Sequence, residues 1–239
     1  MERAEVESNI LGGYPKYLEK INYLIELCVS KATDISIINP DWISNNDARF
    51  AIYGKYVSTL NATKILLYNT LSFVNQDDWV KKYNDEFAIG GRIDDFVYLK
   101  ELDTQLRFAN YMSFVSEFES SLLIIIRFLK DENKKCAENY TSFITDNLKI
   151  ITYVDFLRLV RHLRNSIHNN GIHMPTESKY NSDPIKFKGM DFNFQKGERI
   201  DLKWIDCFVI YEELIGLTEI IFNEDMISRY ELITDIVLE

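Results

Sequence analysis

The segment RLVRHLRNSIHNNGIHMP, residues 158–175, holds all three histidines of a 239-residue chain: His162, His168 and His173. Arg158, Arg161 and Arg164 are interleaved with them, and Asn169-Asn170-Gly171 follows directly on His168. Together these two residue types suit chemistry at a phosphate, where a guanidinium holds negative charge and an imidazole moves a proton. Metal chemistry fits the segment less well, because no carboxylate or thiolate stands beside the histidines and flanking arginines repel a cation. Neither a metal nor a cofactor is expected.

A helix must position these side chains. At about 100° per residue, with Tyr153 as origin, Phe156, Val160, Leu163 and Ile167 gather into a predicted buried stripe. Arg164 falls inside that stripe beside Leu157. His168 lies at its edge, Arg161 about 20° beyond and Asn165 next, while His162 points to solvent. Arg161, Arg164, Asn165 and His168 thus form one polar strip bordering an apolar face. Gly171 suits the left-handed position just past a helix end. An arginine in a buried stripe needs a partner, since an unpaired buried charge is costly. Two readings follow. In one, the arginines pair with carboxylates of neighbouring helices, such as Glu117 or Glu119, and His168 caps the last carbonyls of its helix. In the other, Arg and His converge on a phosphate.

The rest of the chain reads as helices. Tyr17, Ile21, Leu24, Ile25 and Cys28 have helical spacing, ended at Asn39-Pro40 because a residue before proline is pushed out of the α region. A second long helix spans about 46–75 (Phe50, Tyr53, Val57, Leu60, Ile65, Leu66, Phe73), and Gly90-Gly91 breaks the chain. A third runs from 94 to 130. Its stretch Leu122–Ile126 is apolar all round and so central to a bundle, and its Glu101, Asp103, Glu117 and Glu119 are expected on a solvated face. A looser helix covers ENKKCAENYTSFITDNL, leading into a helix over 154–168. Residues 183–202 alternate instead (Ile185, Phe187; Phe192, Phe194), with a tight turn at Lys196-Gly197 before Ile200 and Leu202, which predicts a small β-hairpin or meander. Helical period returns from Trp204 to Leu238. The expected fold is mainly α, a single helical domain over 1–239 with a small β insertion near residues 183–202.

Composition bounds the function. Hydrophobic residues make up 46% of the chain, ample for a core, and nine glycines with four prolines favour ordered helices. A formal net charge of −10 opposes broad attraction to nucleic acid and leaves room only for a local basic site. Cys28, Cys136 and Cys207 are far apart and odd in number, so buried or half-buried thiols are expected, not a disulfide framework. The polar opening MERAEVESNILGG is no signal peptide, and SSLLIIIRFL is too short to span a membrane. A cytoplasmic protein without membrane association is expected.

The motif resembles that of the HEPN superfamily, helical proteins that include RNA-cleaving toxins and antiviral effectors. Its mark is an arginine, usually followed by Asn, Asp or His, then a histidine four to six residues beyond the arginine. Arg161-His162 through His168 fits with six residues between. Arg164-Asn165 resembles the common Arg-Asn start, with His168 after only three residues. The helix end, the preceding helix with SEFESSL and the hairpin that follows are also similar, which places a HEPN-like core at about 95–239 and leaves the N-terminal helices (14–90) outside it. The resemblance implies a metal-independent endoribonuclease of toxin or antiviral defence acting on RNA by 2′-hydroxyl attack. His168 would transfer the proton, Arg161 or Arg164 would stabilise the phosphate, and Asn165 would orient. The site would be shared across a homodimer, with an antitoxin or defence-system protein as further partner. Inactive superfamily members imply the alternative of a binding or scaffolding module.

Overall fold

The structure, a computed structural model, describes residues 12–38, 40, 47–74, 81–82, 85–86, 95–132 and 134–234. The polar N-terminal tail, the Gly90-Gly91 break and the last five residues lie outside them. Helix α1 (Tyr14–Ile38) turns Tyr14, Ile21, Leu24 and Cys28 inward, and α2 (Ala48–Val74) answers with Ile52, Tyr53, Tyr56, Leu60 and Leu67. Ile65 and Leu66, expected among the core positions of α2, are exposed instead.

Helix α3 (Asp95–Asp131) packs on α2 and carries Tyr111, Phe114, Val115, Phe118 and Leu122 into the core. Leu122, Ile124, Ile125 and Ile126 are all buried, as an apolar run on every side requires. Residues 134–147 are looser than a helix: an irregular stretch, one turn at Tyr140–Ser142 and a π-helical turn at Phe143–Asn147. Helix α4 (Val154–His168) lies against α3. Helix α5 (Trp204–Asn223) is buried on most of its circumference and is followed by the short α6 (Asp225–Ser228). Tyr56, Phe114 and Tyr211, from α2, α3 and α5, stack with ring centroids 4.5 and 4.2 Å apart and hold the three helices together.

The core also holds polar groups. Asp103, expected on a solvated face, is buried, accepting from Tyr14 Oη (3.0 Å) and Trp204 Nε1 (2.9 Å) and pairing with Arg107. Buried Asn110 accepts from Tyr211 Oη at 2.7 Å and donates to Thr63. Periodicity alone hid these partners because they come from helices remote in sequence.

The β insertion is a two-stranded antiparallel hairpin, β1 (Ser182–Phe187) and β2 (Met190–Gln195), in register Phe187↔Met190 to Ser182↔Gln195. Its turn is Lys188-Gly189, with φ of 44° and 81°, the doubly left-handed two-residue loop that suits strand twist. The expected turn at Lys196-Gly197 exists, with Gly197 at φ 83°, but it leads out of β2. Residues 198–200 then pair with 171–173 through His173 N to Glu198 O (2.9 Å) and Ile200 N to Gly171 O (2.8 Å), so Ile200 and Leu202 add no third strand to the sheet. No described helix is long and apolar enough to cross a membrane.

Candidate functional site

Helix α4 is the element that places every expected site residue. It buries Phe156, Leu157, Leu159, Val160, His162, Leu163 and Ser166, a face wider than one stripe because α3 covers one side and the hairpin a second. The expectation that His162 points to solvent is therefore wrong: it is 3% exposed. Its ring packs among His173 (5.1 Å), Tyr180 (5.0 Å) and Phe194 (5.0 Å), and Nε2 lies 2.8 Å from Asp183 Oδ2 on β1. Arg158 Nε is 3.4 Å from the same oxygen and Arg158 Nη2 is 3.1 Å from Asp155. Burial, helped by the nearby His173 and Arg161, outweighs the hydrogen bond and charge of Asp183 and lowers the His162 pKa. His173 is equally buried. Its Nε2 is 2.9 Å from the Tyr180 carbonyl and donates there, and Ser166 Oγ stands 3.4 Å from Nδ1. These two histidines tie the hairpin and its approach to α4.

Arg161, Arg164, Asn165 and His168 behave differently. Asn165 and His168 are exposed and Arg161 is half-buried. Arg164, expected in the buried stripe, is also half-exposed: its side chain retains 34% accessibility, with Nε 3.1 Å from Glu119 Oε2 on α3. That contact lacks hydrogen-bond geometry. The pairing with Glu119 expected from the first reading is present, and Glu119, whose side chain is 13% exposed, leaves the solvated face assigned to it. Burial raises the Glu119 pKa, opposed by Arg164, a hydrogen bond from Tyr140 and the nearby His168.

Arg161 turns to the other side of the strip. Its guanidinium sits 5.0 Å over the Tyr180 ring, and its hydrogen bond to the phenol lowers the Tyr180 pKa. Arg161, Asn165 and Tyr180 border a cavity of about 110 Å³ whose wall includes His162 and His173. The strip is thus continuous along α4, but its members have separate neighbours: Glu119 and Tyr140 beside Arg164 and His168, Tyr180 beside Arg161.

The end of α4 is held by two bonds, Gly171 N to Ser166 O (2.8 Å) and Asn170 N to Ile167 O (3.0 Å), which together form a Schellman motif. Gly171 was expected at the first left-handed position past the helix. Asn170 takes that place with φ 56°, and Gly171, at φ 80°, is the next residue. Gly171 is required there twice over, by its φ and by Phe108, whose Cε2 would stand 2.9 Å from an added Cβ. The motif fixes His168 as the final helical residue and leaves it open to solvent.

Sequence reasoning missed Tyr180, Tyr140 and Asp183. Only distance along the chain separates them from the motif, and no local pattern marks them. Among the described residues no three His, Cys, Asp or Glu side chains gather as a metal site would need. In chemical terms the strip offers two guanidinium groups, an amide and an exposed imidazole along one edge of a rigid helix. The chain matches no protein-family model, no curated protein and no solved structure.

Proposed function

We propose that the chain is a HEPN-like, metal-independent endoribonuclease of toxin or antiviral defence, acting in the cytoplasm on RNA as a homodimer. The observation that carries this reading is the strip of exposed Asn165 and His168 with half-buried Arg161, and Arg164 beside it near Glu119. A structural role would bury these groups, as it buries His162 and His173. In the reaction, His168 takes the proton of a ribose 2′-hydroxyl and the 2′-oxygen bonds to the adjacent phosphorus. The phosphorus–5′-oxygen bond breaks, and the departing oxygen takes a proton from the His168 of a second copy. Arg161 and Arg164 hold the charge that develops on the phosphate. An isologous pair of α4 helices would set two such strips face to face across a shared groove.

The test is cleavage of single-stranded RNA by purified protein in the presence of chelator, with size measured by light scattering at micromolar concentration. A dimer is expected. His168→Ala is expected to lower the rate by about 10²–10⁴-fold, the range for losing a general acid–base group. Equal rates for parent and variant, or a strict monomer, end the catalytic reading.

A second reading, a catalytically inactive module of a defence or toxin–antitoxin assembly, draws support from the Arg164–Glu119 ion pair, which already occupies part of one guanidinium. It predicts no RNA cleavage and no change in partner binding on His168→Ala.

A further inference from the structure

Next to the end of α4 lies a groove of about 500 Å³, within the size range of small-molecule sites. One wall is a single face of α3, the i, i+4 series Lys100, Thr104, Phe108 and Met112; the others are Ile167 and Asn170 of the α4 terminus and Arg199 and Ile200. Ile167 precedes His168 and Asn170 follows it by two residues, which brings the groove close to the end of the strip. Its floor is half-buried and apolar and includes the Phe108 ring. At its edges Lys100 and Arg199 are exposed and have no carboxylate partner among the described residues. Two acidic groups in the lining, Glu101 and Asp201, oppose an anion, Asp201 the less because Lys203 Nζ stands 3.7 Å from it. The side-chain amides of Asn170 and Gln105, both exposed, have no hydrogen-bond partner among the described residues, and the left-handed backbone of Asn170 sets the direction of its Cβ. Arg107, whose outer nitrogens bond Asp103 and Thr104, keeps a buried Nε without an acceptor in the same lining.

An aromatic floor, amides that donate and accept, and unpaired cations at the rim of a chain with net charge −10 are complementary to a nucleotide. An acidic peptide would use the cations and leave the ring and the amides idle. We infer that this groove is a base-selecting subsite: it seats the nucleotide next to the scissile phosphate, with its base on Phe108, the base edge read by Asn170 and Gln105, and its phosphate held by Arg199 and Lys100. The inference rests on the ribonuclease reading for its substrate and goes beyond it in assigning sequence preference to residues outside the Arg/His strip.

The experiment uses the full chain carrying His168→Ala, with fluorescent decamers of A, C and U followed by anisotropy over a range of salt. One homopolymer is expected to bind about tenfold tighter than the others. Phe108→Leu, which removes the stacking face, weakens that binding by about tenfold. Arg199→Ala lowers the slope of log K against log salt by about 0.7, the value for one phosphate contact on a single strand. Asn170→Gly, which keeps the left-handed backbone and removes the amide, brings the homopolymers to equal affinity; circular dichroism checks that each variant is folded. The inference is overturned if folded variants bind all three decamers as their His168→Ala parent does, or if poly-glutamate displaces RNA at equal charge concentration. Cleavage by the native chain is scored separately. Cleavage with unshifted groove variants defeats the subsite alone, whereas no cleavage with shifted variants defeats the catalytic reading and leaves the groove as an RNA-binding site without a scissile phosphate.

Discussion

Arg49 and Arg164 are both paired with a carboxylate, and the difference between the pairs separates an arginine that holds the fold from one available for a ligand. Arg49 and Asp47 are wholly buried. Arg49 Nε and Nη2 reach the two Asp47 oxygens at 2.9 and 2.7 Å, and Nη1 donates to the Ile227 carbonyl at 3.0 Å. Asp47 also accepts from the backbone N–H of Arg49 and of Ile233, each at 2.8 Å. Such a group has little left to offer. Arg164 has one side of its guanidinium near Glu119 and a third of its surface in water. A buried ion pair survives only when its donors and acceptors are matched, whereas a half-exposed one keeps donors that water now occupies and a phosphate can take.

The most direct way to break the contrast is Asp47→Ala, which strands the Arg49 charge in the core. Chemical denaturation should show a loss of about 3–5 kcal/mol, the cost of removing one partner of a buried pair. Arg164→Ala should lower stability by less than about 1 kcal/mol in the same measurement, as for a partly exposed pair, while RNA cleavage falls at least as far as in Arg164→Lys. If Arg164→Ala unfolds the protein as Asp47→Ala does, the two arginines have one role and the contrast is lost.

Two titrations sharpen it, with opposite signs. Burial lowers the His162 pKa below its ordinary 6.5, so below that value the unfolded chain binds more protons and stability falls as the pH drops. His162→Gln, which still donates to Asp183 and does not titrate, should flatten that fall in melting temperature. The Glu119 pKa is raised above its ordinary 4.5, so its contribution is present at low pH and is lost as the pH rises through the folded value. Glu119→Gln should remove that slope, read as a difference in melting temperature from pH 4 upward.

What could be read beforehand follows the range of the interaction. The bounds of α4 and the apolar core of α3 and α5 were legible because helical period is local. The hairpin's alternation was legible too, but its turn was not: Lys188 adopts a left-handed conformation that only Asn, Asp or Gly would have announced. His162 was misplaced because a helical wheel assumes one covering neighbour and α4 has two. Asp103 and Glu119 were misread for a related reason, since each is buried by partners far along the chain, Tyr14 and Trp204 for one and Arg164 for the other. Of the candidate site, the strip Arg161, Asn165 and His168 was legible. Its division between Glu119 and Tyr180 was not.

The Asp47–Arg49 pair has a consequence for the order in which the molecule is made. Ile233, whose N–H completes Asp47, follows it by 186 residues. At roughly 5–20 residues per second a ribosome needs on the order of ten to forty seconds to cover that interval. Throughout it, the nascent α2 carries a charged pair whose remaining donors and acceptors have not yet been synthesised. The start of α2 therefore settles into its dry site only after α6 and Ile233 behind it have emerged.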